Sequence, residues 1–154
     1  MYRSDGASLG SDPTWHTLAA LNSDRHPIAS DRINGIDAPE SAQTWETRNG
    51  TTYRCGARSA PALSDYLAQS SPARCTPVGL DRYGRIVGSC LRADGQDIAE
   101  WLVLRGHAID WPRYSNGAYA PHQDAAQRAR VGIWSGSFQL PWEWRAQRRE
   151  TIRR

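Results

Sequence analysis

Lysine is missing from this 154-residue chain, so its 19 basic side chains other than histidine are all arginine. Guanidinium forks match phosphate oxygens in geometry. An arginine-only composition also follows from genomic base content, however, and by itself it points to no function. Also absent is any apolar run near the roughly 20 residues that a membrane span requires, and the chain is not expected to cross a bilayer. The opening MYRSDGASLG has neither the basic flank nor the apolar stretch of an export signal, so no signal peptide is expected and the location stays open. Cysteine is sparse: Cys55, Cys75 and Cys90 form neither a paired CxxC zinc pattern nor a dense disulfide framework, which leaves one pair and one free thiol. No internal repeat and no low-complexity linker divides the chain.

What is present is the composition of one ordinary globular domain, 39% apolar and 23% charged, on a length that supports a single core. A formal charge of +3 and a pI near 9.0 fit a polyanionic partner without identifying it. Residues 1–31 are poor in large apolar side chains and read as a ragged start with one weak strand, Trp15 to Leu21. A strand from Arg32 to Ile36 runs into a turn, Asp37-Ala38-Pro39-Glu40, followed by a polar loop to about Arg54. Ala60, Leu63, Tyr66 and Leu67 recur at helical spacing, with Ser59 as N-cap and Pro61 in the first turn.

Arg74 to Val78 and Arg85 to Leu91 flank Asp81-Arg82-Tyr83-Gly84 and read as a β-hairpin. A two-residue turn centred between Arg82 and Tyr83 sets Cys75 opposite Cys90, within disulfide reach, and leaves Cys55 free. Asp97 and Glu100 form a capping-box pattern for a second helix ending at Gly106. Pro121 opens a third, which Gly132 ends. The tail from Arg145 to Arg154 holds five arginines in ten residues, a pattern that suits phosphates and equally suits a solvated end.

Phosphodiester hydrolysis needs neutralised phosphoryl oxygens, an activated water and a geometry that aligns the two. Arg32, Asp37 and Glu40 lie on one strand and turn and supply candidates for each need. The segment Arg32-Ile-Asn-Gly-Ile-Asp37-Ala-Pro-Glu40 resembles the first signature of the staphylococcal nuclease (thermonuclease) family, and Asp81-Arg-Tyr-Gly-Arg85 resembles its second, in the same order. Asp97 to Ala108 is similar to the family's next helix and strand, and Ala125 to Trp134 to its last helix with a closing Gly-Ile-Trp.

The resemblance implies an α+β fold, mainly β with about three helices, built on a five-stranded OB barrel over residues 32–145. Residues 1–31 would form an irregular N-terminal segment and 146–154 a basic C-terminal tail. It implies a metal-assisted nuclease of low sequence specificity: Arg32 and Arg85 clamp the phosphate, Glu40 activates water, and Asp37 is a calcium ligand. Tyr83, Trp111 and Tyr114 fall beside the nucleotide, where stacking tolerates any base; for Trp111, core packing is an equal reading. The expected partner is DNA or RNA, preferably single-stranded, and the expected state is a monomer.

The family's first strand carries Asp-Gly-Asp-Thr, and its second aspartate is the other calcium ligand. Here His16 falls at that position. Imidazole suits manganese or another borderline divalent ion better than calcium, and Asp12 and Asp31 remain alternative acids. The alternative function is a non-catalytic OB module that binds nucleic acid or protein through a degraded metal site.

Overall fold

The computed structural model describes residues 18–21, 27–40, 42–54 and 56–153. The weak strand expected from Trp15 is seen from residue 18 as β1 (Leu18–Leu21); Trp15, His16, Asp12 and Cys55 lie outside the described residues. β2 (Pro27–Ile33) is longer than expected and begins five residues before Arg32. Its polar sequence hides the strand, but β1 pairs with it antiparallel, Ala20 facing Ile28, and Arg32 therefore sits near the strand's end rather than its start. The Asn34-Gly35 turn then separates β3 (Ile36–Asp37), with Gly35 at φ +79°.

The expected polar loop from Ser41 to Arg54 is instead a short hairpin, β4 (Thr44–Thr47) and β5 (Thr52–Arg54). Trp45 explains it: its side chain is buried, so one face of a threonine-rich strand has a core to cover. The first helix, α1 (Gly56–Ala68), starts three residues before Ser59. Ser59 is buried and does not cap; its Oγ lies 3.1 Å from His107 Nδ1.

β6 (Arg74–Leu80) and β7 (Ile86–Leu91) form the second hairpin. Its loop has three residues rather than two: Asp81 N–H donates to the Arg85 carbonyl and Gly84, at φ +78°, donates to the Asp81 carbonyl. Leu80 thus faces Ile86, but a bulge between Pro77 and Gly79 takes back one residue, and beyond it Cys75 faces Cys90. The two departures cancel. Cys75 and Cys90 form a disulfide with α-carbons 4.0 Å apart.

β1, β2, β7 and β6 join edge to edge into a ring, which closes through one residue pair, Leu21 with Arg74. The five-stranded closed barrel is therefore met only in part: β3 stands outside the ring and pairs with β8 (Ile109–Asp110). Asp97 caps α2 (Ile98–Leu104) as expected, accepting from the amides of Ala99 and Glu100. A one-turn α3 (Pro112–Ser115) and α4 (Ala120–Ala129) follow. Gly106 and Gly132, at φ +67° and +55°, meet backbone to backbone, and Ile133 N–H donates to the Gly106 carbonyl at 2.9 Å. This contact pins the end of α2 to the 3-10 turn Gly132–Ser135.

β9 (Gly136–Ser137) then pairs with β4, and a helix absent from the sequence reading, α5 (Pro141–Ile152), completes the chain. The expected boundary between 145 and 146 falls inside α5. One core lies between the ring, α1 and α2; a second joins Trp45, Ile109 and Ile133 to Trp134, Phe138, Leu140 and Trp142 and carries the start of α5.

Two stability measurements follow from this packing. Reducing the Cys75–Cys90 bond should cost about 2–4 kcal/mol, read as a lower denaturant midpoint; equal midpoints for oxidised and reduced protein would contradict it. Burial, with Arg105 nearby, holds His107 below the ordinary histidine value. The unfolded chain therefore takes up this proton first, and the stability carried by the neutral ring is present above about pH 6.5 and lost as pH falls toward the folded value. His107→Gln should flatten the pH dependence of Tm between about pH 7.5 and 5, whereas superimposable profiles would remove His107 as the cause.

Candidate functional site

A groove of about 670 Å³ opens between the end of β2, the β6–β7 hairpin, the segment after β8 and one face of α5. Arg32, Arg82, Arg85, Arg113, Arg145 and Arg149 line it, against two aspartates, Asp37 and Asp81. A concave wall with this excess of guanidinium groups attracts a polyanion.

Asp81 organises one end. Its Oδ1 accepts from the Tyr83 and Arg85 amides at 2.8 and 2.9 Å, which shapes the hairpin loop. Its Oδ2 accepts from Arg85 Nε at 2.7 Å and lies 3.5 Å from Arg32 Nε, an ion-pair contact without hydrogen-bond geometry. Desolvation pushes the Asp81 carboxyl up, but the bonds from Arg85 and Tyr83 outweigh it and hold the group below the ordinary aspartate value. Arg32 is held below the usual arginine value by burial first and by the Arg85 charge second. Two arginines 53 positions apart in sequence are thus drawn to one carboxylate.

Asp37 and Glu40 form the other end. The β3–β8 pairing carries Asp37 inward to 2% exposure. Its Oδ1 accepts from the Ala38 amide at 3.0 Å and from Arg145 Nη1 at 3.2 Å, and its Oδ2 accepts from Arg145 Nη2 at 2.5 Å. The same Nη1 donates to Glu40 Oε1 at 3.0 Å. Burial raises the Asp37 carboxyl above its ordinary value, and the Arg145 bonds oppose that rise. Gln43, fully buried, fixes this turn to the start of α5: its amide donates to the Glu40 carbonyl, and its Nε2 to the Gln139 carbonyl at 2.5 Å.

Arg32, Arg85 and Asp37 line the groove; Glu40 sits behind Arg145 and, among the described residues, is not part of the groove wall. Tyr83 and Tyr114 stand on the groove, 67% and 52% exposed. Arg82 and Arg85 lie over the Tyr83 ring. Trp111 combines both readings given to it: it lines the groove, but one face stacks on Trp142 with centroids 5.8 Å apart and planes 14° from parallel.

Sequence reasoning missed Arg145 as a partner of the acids and Trp142 as a groove residue. The spacing Trp142, Arg145, Arg149 places all three on one helical face, a signal obscured by the density of arginine around it. His16 lies outside the described residues. Among those described, no group of three or more His, Cys, Asp or Glu is gathered as a metal ion requires. Both Asp37 oxygens accept from Arg145, whose guanidinium also bonds Glu40, so as folded a cation of the protein itself holds the position between these two carboxylates.

Comparison with known proteins agrees with this frame. A model of the staphylococcal nuclease homologue family matches residues 31–136. The chain is 42% identical over 125 residues to the succinoglycan biosynthesis protein ExoI of Rhizobium meliloti (strain 1021), which covers 80% of this chain and 65% of that protein. It is 33% identical over 120 residues to the probable staphylococcal-like nuclease CAN1 of Oryza sativa subsp. japonica, covering 77% and 33%. It is 28% identical over 116 residues to an uncharacterized endonuclease of Escherichia coli, covering 74% and 69%. The chain thus spans less than two thirds of the first relative and a third of the second. The matched region contains the arginine pair, Asp37, Glu40 and the glycine contact that pins α2, and the chain belongs to the staphylococcal nuclease homologue family.

Proposed function

We propose that this chain, acting as a monomer, hydrolyses phosphodiester bonds in DNA or RNA, preferring single strands and reading little sequence. The observation that carries the proposal is the convergence of Arg32 and Arg85 on Asp81 at the wall of an arginine-lined groove. Asp81 prepays the ordering of two mobile cations, and a phosphate entering the groove meets guanidinium forks already aligned. Charge building on the phosphoryl oxygens is stabilised by these forks, and Glu40 takes the proton of the attacking water. Tyr83 and Tyr114 offer rings for stacking on bases, which needs no base-specific hydrogen bonds. The ring of β1, β2, β7 and β6, with the β3–β8 ladder beside it, supports the OB-type barrel as the scaffold.

A second reading, a binding module without catalysis, is favoured by one observation: Arg145 engages both Asp37 and Glu40, so the proposed base is occupied as folded. The 42%-identical relative carries a biosynthetic rather than a nuclease name. Under that reading the arginines and tyrosines bind nucleic acid and Glu40 has no role in bond cleavage.

Activity on denatured DNA separates the two. Arg32→Lys or Arg85→Lys should each cut turnover by at least about tenfold, roughly 1.4 kcal/mol, with Tm nearly unchanged. Glu40→Gln should abolish most cleavage while retaining binding; a fully active Glu40→Gln protein would exclude Glu40 as the base, and an inactive natural protein that still binds would select the module. For the platform, Tyr83→Ala and Tyr114→Ala should each weaken single-strand binding by about 1–3 kcal/mol per stacked base, alike for different sequences. Unchanged affinity in anisotropy titrations would remove the tyrosines from the interface.

A further inference from the structure

We infer that Arg145 is the resident cation of the Asp37–Glu40 pair, so that its guanidinium and a divalent ion exclude each other from these carboxylates. The inference rests on reading Asp37 and Glu40 as acids of the site, as proposed above, but not on catalysis.

A carboxylate buried to 2% exposure stays ionised only with a counter-charge. Arg145 supplies it with two parallel bonds to Asp37, and a third donation from the same Nη1 spans to Glu40. Among the described residues, Asp37 also accepts from the Ala38 amide. An ion placed between the two acids would take the position that the guanidinium holds against Asp37 Oδ1 and Oδ2 and Glu40 Oε1, or sit beside a like charge within a few ångströms. The two cations therefore compete for one seat.

The seat is held by the body of the fold and not by a free tail. Pro141 is buried, Trp142 stacks on Trp111, and Gln43 grips the Gln139 carbonyl, so the first turn of α5 is fixed and aims Arg145 at the acids. From residue 146 to 153 the helix is exposed, and Arg145 is the last side chain of α5 tied to the acids. Arg149, one turn on, lines the groove and shares the charge of Arg145 without an ion-pair contact to Asp37 or Glu40 among those observed. It is the natural control.

Calorimetry with calcium chloride and with manganese chloride, on the whole chain and with no nucleic acid present, tests the inference. Arg145→Gln should bind the ion at least about tenfold more tightly than the natural protein, because affinity follows the net charge of the ligand set. Arg145→Lys keeps a charge for Asp37, and so keeps the fold, but loses the fork; it should bind between the two. Arg149→Gln should match the natural protein. Equal affinity in natural, Lys and Gln proteins, no ion binding by any folded Arg145 variant, or an equal gain in Arg149→Gln would each overturn the assignment. Because the measurement reads the ion alone, a protein inactive on DNA still decides it, and the failure of one reading is distinguishable from the failure of the other.

Discussion

Asp37 is nearly inaccessible to water, and an isolated carboxylate there would be costly enough to oppose folding or to force its protonation. The guanidinium that compensates it comes from 108 residues downstream. Much of the local architecture serves this meeting. The β3–β8 pairing sets the depth of Asp37, the buried Gln43 ties the turn after it to Gln139, and Trp142 on Trp111 orients the helix that carries Arg145. The second core, with Trp45, Ile109 and Ile133, provides the apolar floor for that helix. A change in any of these would act on the site through the placement of one positive charge.

Asp81 plays the complementary part at the other end of the groove. There a carboxylate 15% exposed holds two arginines, and the balance of charge is positive and open rather than closed. The two ends divide the electrostatic work. At the hairpin, cations are ordered but remain on the wall of the groove; at the β3 turn, acids are ordered and covered. The exposed rings of Tyr83 and Tyr114 stand on the same groove.

Some local signals were read correctly and others were not: Ser59, expected as an N-cap, lies inside α1 against His107. Asp97 caps its helix because its carboxylate reaches amides two and three residues on, and Gly106 follows the end of α2 because the chain there requires positive φ; Gly132, expected to end the third helix, instead opens the 3-10 turn, and α4 ends at its C-cap Arg130, itself at φ +55°. The Cys75–Cys90 pairing was legible from the hairpin alone, although the loop is one residue longer than expected and a bulge restores the register. That correct outcome had two compensating causes, neither visible in the residues. The β4–β5 hairpin and the first half of β2 were hidden because the pairing that makes them strands comes from β9 and β1, partners that polar sequences do not advertise.

The sequence by itself determined the family, and it singled out Arg32, Arg85, Asp37, Glu40 and the aromatic residues as candidates, since each is carried by a short motif whose spacing survives without knowledge of the fold. Only the tertiary structure decided that Arg32 and Arg85 share Asp81, that Trp111 gives one face to Trp142, and that Arg145 closes over Asp37 and Glu40. These are relations between side chains far apart in sequence. Their distances depend on strand register, on a bulge and on the docking of one helix, and charge interactions change steeply over those few ångströms. A run of five arginines in ten residues reads the same whether it is solvated or seated on a buried acid, because the desolvation that distinguishes the two belongs to the folded state.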